Sequence, residues 1–210
     1  RFKCKACKTR FSSASHQLPY GQNKRQVNLI TQRLLSSGVS MRRVALILNI
    51  HRTTVARKLN YLAIDAKQKQ LKYLSSRPKS TNIQFDDLIT IEHTKCKPLA
   101  VSMIVEDKSR KILGYEVSVI SASGLLVHKS IKKYGSRQNK KREGIKRLYQ
   151  KVGCYLSEKP LISTDEDTLY SPLIKKYLPT AIHKKYKGAK GCITGQGEMK
   201  SLKYDPLFSI

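Results

Sequence analysis

Residues 82–93, NIQFDDLITIEH, constrain the fold most strongly, because they place two adjacent carboxylates inside an apolar segment. Phe85, Asp87 and Ile89 share one parity of the two-residue repeat of a β-strand. Asp86 falls on the other parity, which is mostly polar. A carboxylate within a strand costs free energy unless a partner compensates its charge. The segment therefore predicts a strand whose acidic residues have a function.

A second apolar run, PLIST at residues 160–164, ends in Asp165 and is followed by Glu166, Asp167 and a helical pattern. The chain has a formal net charge of +28, with 14 acidic residues against 42 Lys and Arg. Carboxylates at strand centres and ends of so basic a chain are typical of metal ligands within a surface that binds a polyanion. The alternative is that residues 165–167 cap a helix and that Asp86 pairs with a lysine.

Composition narrows the class of protein. The hydrophobic fraction of 40% is enough for a core, and 210 residues suit one ordinary domain plus a small one. No apolar run is long enough to predict a membrane span. The excess positive charge is spread over the whole chain, which favours nucleic acid over an anionic membrane surface as the partner. The five cysteines suggest no disulfide framework, so we expect a cytoplasmic chain associated with the nucleoid.

The first residues, RFKCKACKTRF, contain Cys4 and Cys7 in a C-x2-C spacing between basic and aromatic residues. This spacing predicts half of a zinc site, because zinc needs four ligands and His16 would add only a third. The alternative is two ordinary cysteines in a basic arm. We expect a partial zinc ribbon over residues 1–20, with its other half upstream in a longer protein.

A helical period follows over residues 24–62, interrupted by Ser-Ser-Gly at 36–38 and by a turn at 49–50. This arrangement predicts a helix-turn-helix domain over residues 21–65, with Ser40 capping the second helix. No acidic residue occurs before Asp65, as expected of a surface facing a polyanion. A three-helix unit without DNA contacts is the alternative. The residues expected to face DNA from the third helix are Arg52, Thr54, Arg57 and Lys58.

Residues 66–81 are basic and then rich in Ser and Pro, so we expect a linker there and a second domain over residues 82–210. The acid-free residues 124–139 predict either a loop that grips DNA or a soluble linker. In the second domain the periodicity predicts a meander of strands at 82–93, 98–106 and 112–121, a helix at 142–156, a strand at 161–164, a helix at 171–178, a strand at 181–186 and the start of a helix at 205.

The zinc knuckle, the helix-turn-helix, the FDD strand followed by EHTKCKPL, then ISTD at 162–165 and GQGE at 195–198 occur in one order along nearly the whole chain. Together they resemble an insertion-sequence transposase with an RNase H-like DDE catalytic domain. The resemblance implies an α/β (α+β) fold, in which the small helical domain precedes an RNase H-like mixed sheet with flanking helices. It also implies that the catalytic domain is truncated at the C-terminus.

The resemblance implies a catalytic site of Asp86, Asp165 and Glu198, unless the third ligand lies beyond Ile210. Two Mg²⁺ or Mn²⁺ ions held by Asp86 and Asp165 would then serve phosphodiester cleavage and strand transfer on transposon ends and target DNA. Zn²⁺ would bind Cys4 and Cys7, and the active protein would be a homo-oligomer. Two alternatives are a non-catalytic helix-turn-helix regulator and an inactive transposase remnant, and metal dependence distinguishes both from the enzyme.

Overall fold

The computed structural model describes residues 1–17 and 19–187 and has a mixed α+β architecture, as the sequence predicts. The chain forms two compact units, Arg1–Ser76 and Arg77–Ile210. Each unit is described by itself below. Within the described ranges even the longest helix carries too many charged residues for a membrane, and no helix could span one.

The first unit is a short two-stranded sheet followed by three helices. Strands β1 (Phe2–Lys3) and β2 (Arg10–Phe11) pair antiparallel, and the 3-10 turns Ser13–His16 and Arg25–Val27 follow. Ser40 caps the second helix by accepting a hydrogen bond from the Arg43 N–H, as predicted. The buried side chains of Thr31, Val44, Val55 and Leu62 hold the helices together. The helices are α1 (Asn28–Ser36), α2 (Met41–Ile47) and α3 (Arg52–Ser76).

Helix α3 continues well past the predicted domain end at residue 65. Residues 66–76, expected to begin a linker over residues 66–81, form the last part of α3, and the boundary between the units falls within that predicted stretch. The physical reason is that Ala, Lys, Gln and Leu in this segment are strong helix formers even though they look like a polar linker. The helix ends at Ser76, because Arg77 precedes Pro78 and is disfavoured in helical conformation. The boundary between the units lies at this break.

The second unit is built on a five-stranded mixed sheet in the order β5-β4-β3-β6-β7. The predicted antiparallel meander is confirmed in β3, β4 and β5, and β6 and β7 continue the sheet parallel to β3. Residues 124–139, expected to be a loop or a linker, contain helix α4, which is a correction. The strands are β3 (Ser80–Ile91), β4 (Pro98–Glu106), β5 (Ile112–Val119), β6 (Leu156–Asp165) and β7 (Ile182–Tyr186), and the helices are α4 (Leu126–Tyr134), α5 (Lys141–Val152) and α6 (Tyr170–Tyr177), with a 3-10 turn at Gly153–Tyr155.

Helices α5 and α6 cover one face of this sheet. Phe85 on β3 is fully buried, and its ring centroid lies 5.4 Å from that of Tyr149 on α5 and 4.7 Å from that of Tyr170 on α6. Helix α5 also approaches β5 so closely that a Cβ atom on Gly144 would lie 1.8 Å from Ser118 Oγ. This close packing forms the core of the second unit.

Burial follows the predicted strand parity only where the helices cover the sheet. Ile83 and Phe85 are buried, whereas Ile89, on the same parity, is 56% exposed. On the opposite face Leu88 and Val117 flank Val101 in register, and both flanking side chains are exposed.

Candidate functional site

Strands β3 and β6, which carry the predicted acidic residues Asp86 and Asp165, are neighbours in the sheet. These strands are parallel, with Asn82 opposite Leu161 and Gln84 opposite Ser163. The pairing ends there, and a continuation of the same register by two residues would put Asp86 level with Asp165. Side chains directly opposite one another in neighbouring strands point to the same face. Both aspartates are half-buried, and the Asp86 carboxylate accepts the Asp87 N–H at 2.7 Å.

The Asp87 side chain points to the other face of β3, where other residues of the protein bind its carboxylate. Its side chain is only 4% exposed. The carboxylate accepts hydrogen bonds from the Ser102 hydroxyl and, at 2.6 Å, from the Tyr170 hydroxyl, and it forms a 2.9 Å ion pair with Lys141 Nζ. A carboxylate with three donors in the core is a structural anchor and is unsuited to bind a metal ion from solvent.

Lys141, the first residue of α5, links Asp87 to the loop that follows β6. Its Nζ lies 3.0 Å from Asp167 Oδ2 as well as 2.9 Å from Asp87 Oδ2. Burial opposes the charged form, but the two carboxylates outweigh it, so the pKa of Lys141 is raised. Burial and the Asp87 carboxylate raise the pKa of Tyr170 far above its usual range, so its hydroxyl remains a donor.

The same network continues to Asp165. The Asp165 carboxylate accepts the Asp167 N–H at 3.0 Å, and the Asp167 carboxylate accepts the Leu169 N–H at 2.8 Å. Burial raises the pKa of Asp167, but the Leu169 N–H and Lys141 outweigh this effect and lower the pKa overall. The loop that follows Asp165 is therefore held to the core through Asp167, Lys141 and Asp87.

The donor set at this face suits a hard divalent cation, because Mg²⁺ and Mn²⁺ prefer carboxylate oxygens. No group of three or more His, Cys, Asp or Glu side chains able to hold a metal is found in residues 1–17 and 19–187. Glu198, the predicted third ligand, and the helix start predicted at Asp205 lie outside the described residues. Asp86 and Asp165 could hold one cation together or contribute to two.

Two of the four predicted DNA-facing residues on α3 are exposed to solvent. Arg52 and Arg57 are exposed, and Thr54 is half-buried. The turn before the helix is ordered by His51, whose Nδ1 lies 2.8 Å from Thr53 Oγ1. The two arginines are therefore available to an external partner.

Lys58 is only 4% exposed, so its predicted outward orientation is wrong. Its ammonium donates hydrogen bonds to the Asn23 carbonyl at 3.2 Å, the Lys24 carbonyl at 3.0 Å and Asn28 Oδ1 at 2.6 Å. The reason is helical geometry, because Lys58 shares the inner face of α3 with Val55 and Leu62. Burial lowers the pKa of Lys58. This lysine fastens the segment before α1 to α3 instead of reaching DNA.

The predicted zinc knuckle is a tight turn between β1 and β2. The Cys4 N–H donates to the Thr9 carbonyl at 2.9 Å, and the Lys8 N–H donates to the Cys4 carbonyl at 3.0 Å. Hydrogen bonds with the side chain and backbone of Thr9 lower the pKa of the Cys7 thiol to about 7. His16 packs edge-on against Phe11, with ring centroids 5.7 Å apart. Zinc binding at Cys4 and Cys7 stays a prediction.

Sequence patterns did not reveal the residues that fasten the Asp165 loop. Lys141 lies in a run of cations, Lys-Lys-Arg, which looks like a solvated surface. Tyr170 looks like an ordinary core aromatic residue. The one available signal was that Asp87 shares the strand parity of the apolar residues, which places its carboxylate in the core. A buried carboxylate needs cationic or hydroxyl partners, and these had to come from elsewhere in the chain.

Comparison with known proteins adds no family: no protein-family model matches the chain, and no curated protein shows significant similarity to it.

Proposed function

We propose that this chain is a DDE-type transposase that binds transposon-end DNA and carries out metal-dependent phosphodiester cleavage and strand transfer. The observation that supports the proposal is the parallel pairing of β3 with β6, because the same register, continued by two residues, would bring Asp86 level with Asp165. Asp87, in contrast, is held by Tyr170 and Lys141. Asp86 and Asp165, which accept the backbone N–H groups of Asp87 and Asp167, are the carboxylates that we propose bind the cations. The net charge of +28 suits a nucleic acid substrate.

Asp86 and Asp165 would hold the divalent cations, with the third ligand, Glu198 or a residue further on, outside the described residues. Two bound cations activate a water or 3′-hydroxyl nucleophile and stabilise the leaving oxygen of an in-line displacement. The protein's own contribution is to fix the two carboxylates on rigid strands. Lys141 and Asp167 limit the movement of the Asp165 loop, so the pair need not reorganise when DNA arrives.

DNA recognition would come from the first unit. In this proposal α3 enters the major groove, where Arg52 and Arg57 reach base edges and phosphates. The active form would be a homo-oligomer that holds the two transposon ends together.

The proposal is tested by titrating the full chain with Mn²⁺ in a calorimeter and, in parallel, by assaying nicking of duplex DNA with Mn²⁺ or Mg²⁺. We expect Asp86→Asn and Asp165→Asn each to weaken Mn²⁺ binding at least tenfold, since each removes a charged ligand. Glu166→Gln is the matched control, because Glu166 is an exposed acid next to Asp165 and should leave the affinity unchanged.

Mn²⁺ binding that is insensitive to both aspartate substitutions would refute the proposed site. Salt-dependent DNA binding without any such Mn²⁺ site would favour the non-catalytic regulator instead. Mn²⁺ binding and DNA binding without nicking would point to an inactive remnant.

A further inference from the structure

Helix α4 is fixed against the turn that joins β3 to β4. The Ser130 hydroxyl, which is buried, donates a 2.7 Å hydrogen bond to the Cys96 carbonyl in that turn. Tyr134 packs edge-on against His93, with ring centroids 6.0 Å apart, and Lys97 Nζ lies 5.0 Å from the Tyr134 ring centroid. The turn follows the last residue of β3, so α4 lies at the carboxyl end of that strand.

Asp165 of the proposed catalytic pair lies toward the same end of the sheet, whereas Asp86 lies near the middle of β3. Strand β6 is parallel to β3, and Asp165 is its last residue. Five residues separate Asp86 from Ile91, the last residue of β3, which corresponds to about 17 Å at the rise of a strand. That distance is about half a helical turn of B-DNA. Helix α4 packs against the turn that follows Ile91, so a duplex that runs from Asp86 past the end of β3 would extend toward α4.

The outward side of α4 carries uncompensated positive charge. Lys129, Lys132 and Lys133 are exposed, and none of them forms an ion pair within the part of the chain that the structure describes. The sequence contains no Asp or Glu from residue 117 to residue 142. Nearby Arg137 and Lys97 differ, because Glu92 neutralises both at 2.7 Å and 3.3 Å. The three lysines thus remain available to an external anion.

Lysines near a helix C-terminus also stabilise the helix dipole, and this effect needs no ligand. Lys132 and Lys133 lie in the last turn of α4, and Lys175 and Lys176 lie in the last turn of α6. Because α6 returns the chain from the end of β6 to the start of the parallel strand β7, its last turn lies toward the opposite edge of the sheet. The α6 pair therefore provides a control with the same charge and the same helix position.

We propose that the outward side of α4, defined by Lys129, Lys132 and Lys133, binds the sugar-phosphate backbone of DNA beyond the carboxyl end of β3, the strand that carries Asp86. The contact is to phosphates, so it is independent of sequence and positions the DNA for reaction. The part of the proposal that concerns the aspartate pair rests on the proposed function, whereas the DNA contact itself does not.

The experiment measures binding of the full chain to a duplex of about 40 base pairs over a range of salt concentrations, long enough to extend beyond the roughly 10-base-pair half-site of a helix-turn-helix. The variants are Lys132→Gln/Lys133→Gln and the control Lys175→Gln/Lys176→Gln. Each phosphate contact contributes about 0.9 to the slope of log K against log salt concentration. This slope is negative, and loss of phosphate contacts makes it shallower. We expect its magnitude to fall by about two in the α4 variant and to stay nearly unchanged in the α6 variant.

A second measurement uses the unmodified chain, so it does not depend on whether a variant folds. Reductive methylation of lysines is followed by mass spectrometry with and without the duplex. We expect DNA to protect Lys129, Lys132 and Lys133, and to leave Lys175 and Lys176 reactive.

Three results would overturn the proposal: equal slopes for the α4 variant and the wild type, equal losses in the two variants, or methylation of the α4 lysines that DNA does not reduce. Phosphatidylserine vesicles serve as a competing polyanion, and stronger protection by vesicles than by DNA would assign the surface to a membrane instead. If the α4 lysines affect DNA binding but the chain has no Mn²⁺ site, the DNA contact at α4 is supported and the proposed catalytic function is refuted. If the chain has the Mn²⁺ site but the α4 lysines do not affect DNA binding, the catalytic function is supported and the DNA contact is refuted.

Discussion

Asp86 and Asp87 are adjacent in the chain, yet the alternation of a strand gives them different surroundings. Asp87 faces the core, where Ser102, Tyr170 and Lys141 satisfy its carboxylate. Asp86 falls on the other parity, is half-buried and accepts the Asp87 N–H at 2.7 Å. Whether each carboxylate lies in the core or on the other face of the sheet is decided by its odd or even position along the strand.

Loss of Asp87 should therefore affect stability, and loss of Asp86 should affect metal binding. Asp87→Ala leaves the Lys141 ammonium, which is 17% exposed, without its closest carboxylate. Removing one partner of a buried ion pair costs about 3–5 kcal/mol, so we expect a lower urea midpoint for the second unit. Glu166→Gln, at an exposed acid, is the control and should change the midpoint little. Equal midpoints for Asp87→Ala and the wild type would show that the network does not hold the loop.

The neighbours Arg57 and Lys58 allow a similar separation of roles in the first unit. Lys58→Ala leaves the Asn23 and Lys24 carbonyls and Asn28 Oδ1 without their shared donor, which should cost about 1–3 kcal/mol of unfolding free energy. Arg57→Glu replaces an exposed cation, so it should leave stability unchanged and weaken duplex binding about tenfold or more.

Thermal unfolding and duplex titration of the two variants, each compared with the wild type, provide the measurement for the first unit. If Lys58→Ala weakened DNA binding without changing the thermal midpoint, Lys58 would be a DNA contact after all.

At the scale of elements, the contact of α5 with β5 depends on one missing side chain. A Cβ atom at Gly144 would lie 1.8 Å from Ser118 Oγ and 3.1 Å from Ser118 Cβ, so Gly144→Ala forces the helix away from the sheet. Overpacking of this kind costs about 1–3 kcal/mol. The control is Gly153→Ala, where the nearest atom would lie 3.7 Å away, at Leu178 Cδ2. Calorimetric midpoints that were equal for the two variants would contradict this packing.

The strands were the most predictable elements, and the cationic helices were the least. The meander over β3, β4 and β5 could be predicted because alternation of apolar residues repeats in three segments separated by short turns. The last part of α3 and all of α4 were misassigned, because runs of Lys, Gln and Ser satisfy the composition of a linker and of a solvated helix equally well.

The candidate site was predictable only in its acidic members. Asp86 and Asp165 stand out because carboxylates at strand positions are unusual in so basic a chain. Lys141 and Tyr170 could not be predicted, because their contacts with Asp87 cross 54 and 83 residues of sequence and depend on how α5 and α6 pack. Lys58 was misassigned because a buried lysine is rare and its acceptors lie 30 to 35 residues away.

For the whole molecule, the dominant physical fact is the imbalance of 42 cations against 14 acids. Some of these acids are already paired, as in the contacts of Arg77 with Glu106 and of Arg147 with Glu116. Most cations consequently repel one another, and self-repulsion of this kind destabilises the compact state. Pairing on the surface contributes little by comparison, since an exposed ion pair is worth about 0–1 kcal/mol.

Moderate salt should therefore stabilise this protein, although salt weakens its ion pairs. Raising the ionic strength from about 0.01 M to about 0.1 M shortens the screening length from about 30 Å to about 10 Å, which removes long-range repulsion and leaves close pairs less affected. We expect the thermal midpoint to rise over this range in NaCl, and to rise further with a short DNA duplex at low salt. The control is sucrose at matched osmolality, which does not screen charge. A midpoint that fell with added NaCl would mean that the ion pairs around Glu106, Glu116 and Asp87 outweigh the repulsion between the remaining cations.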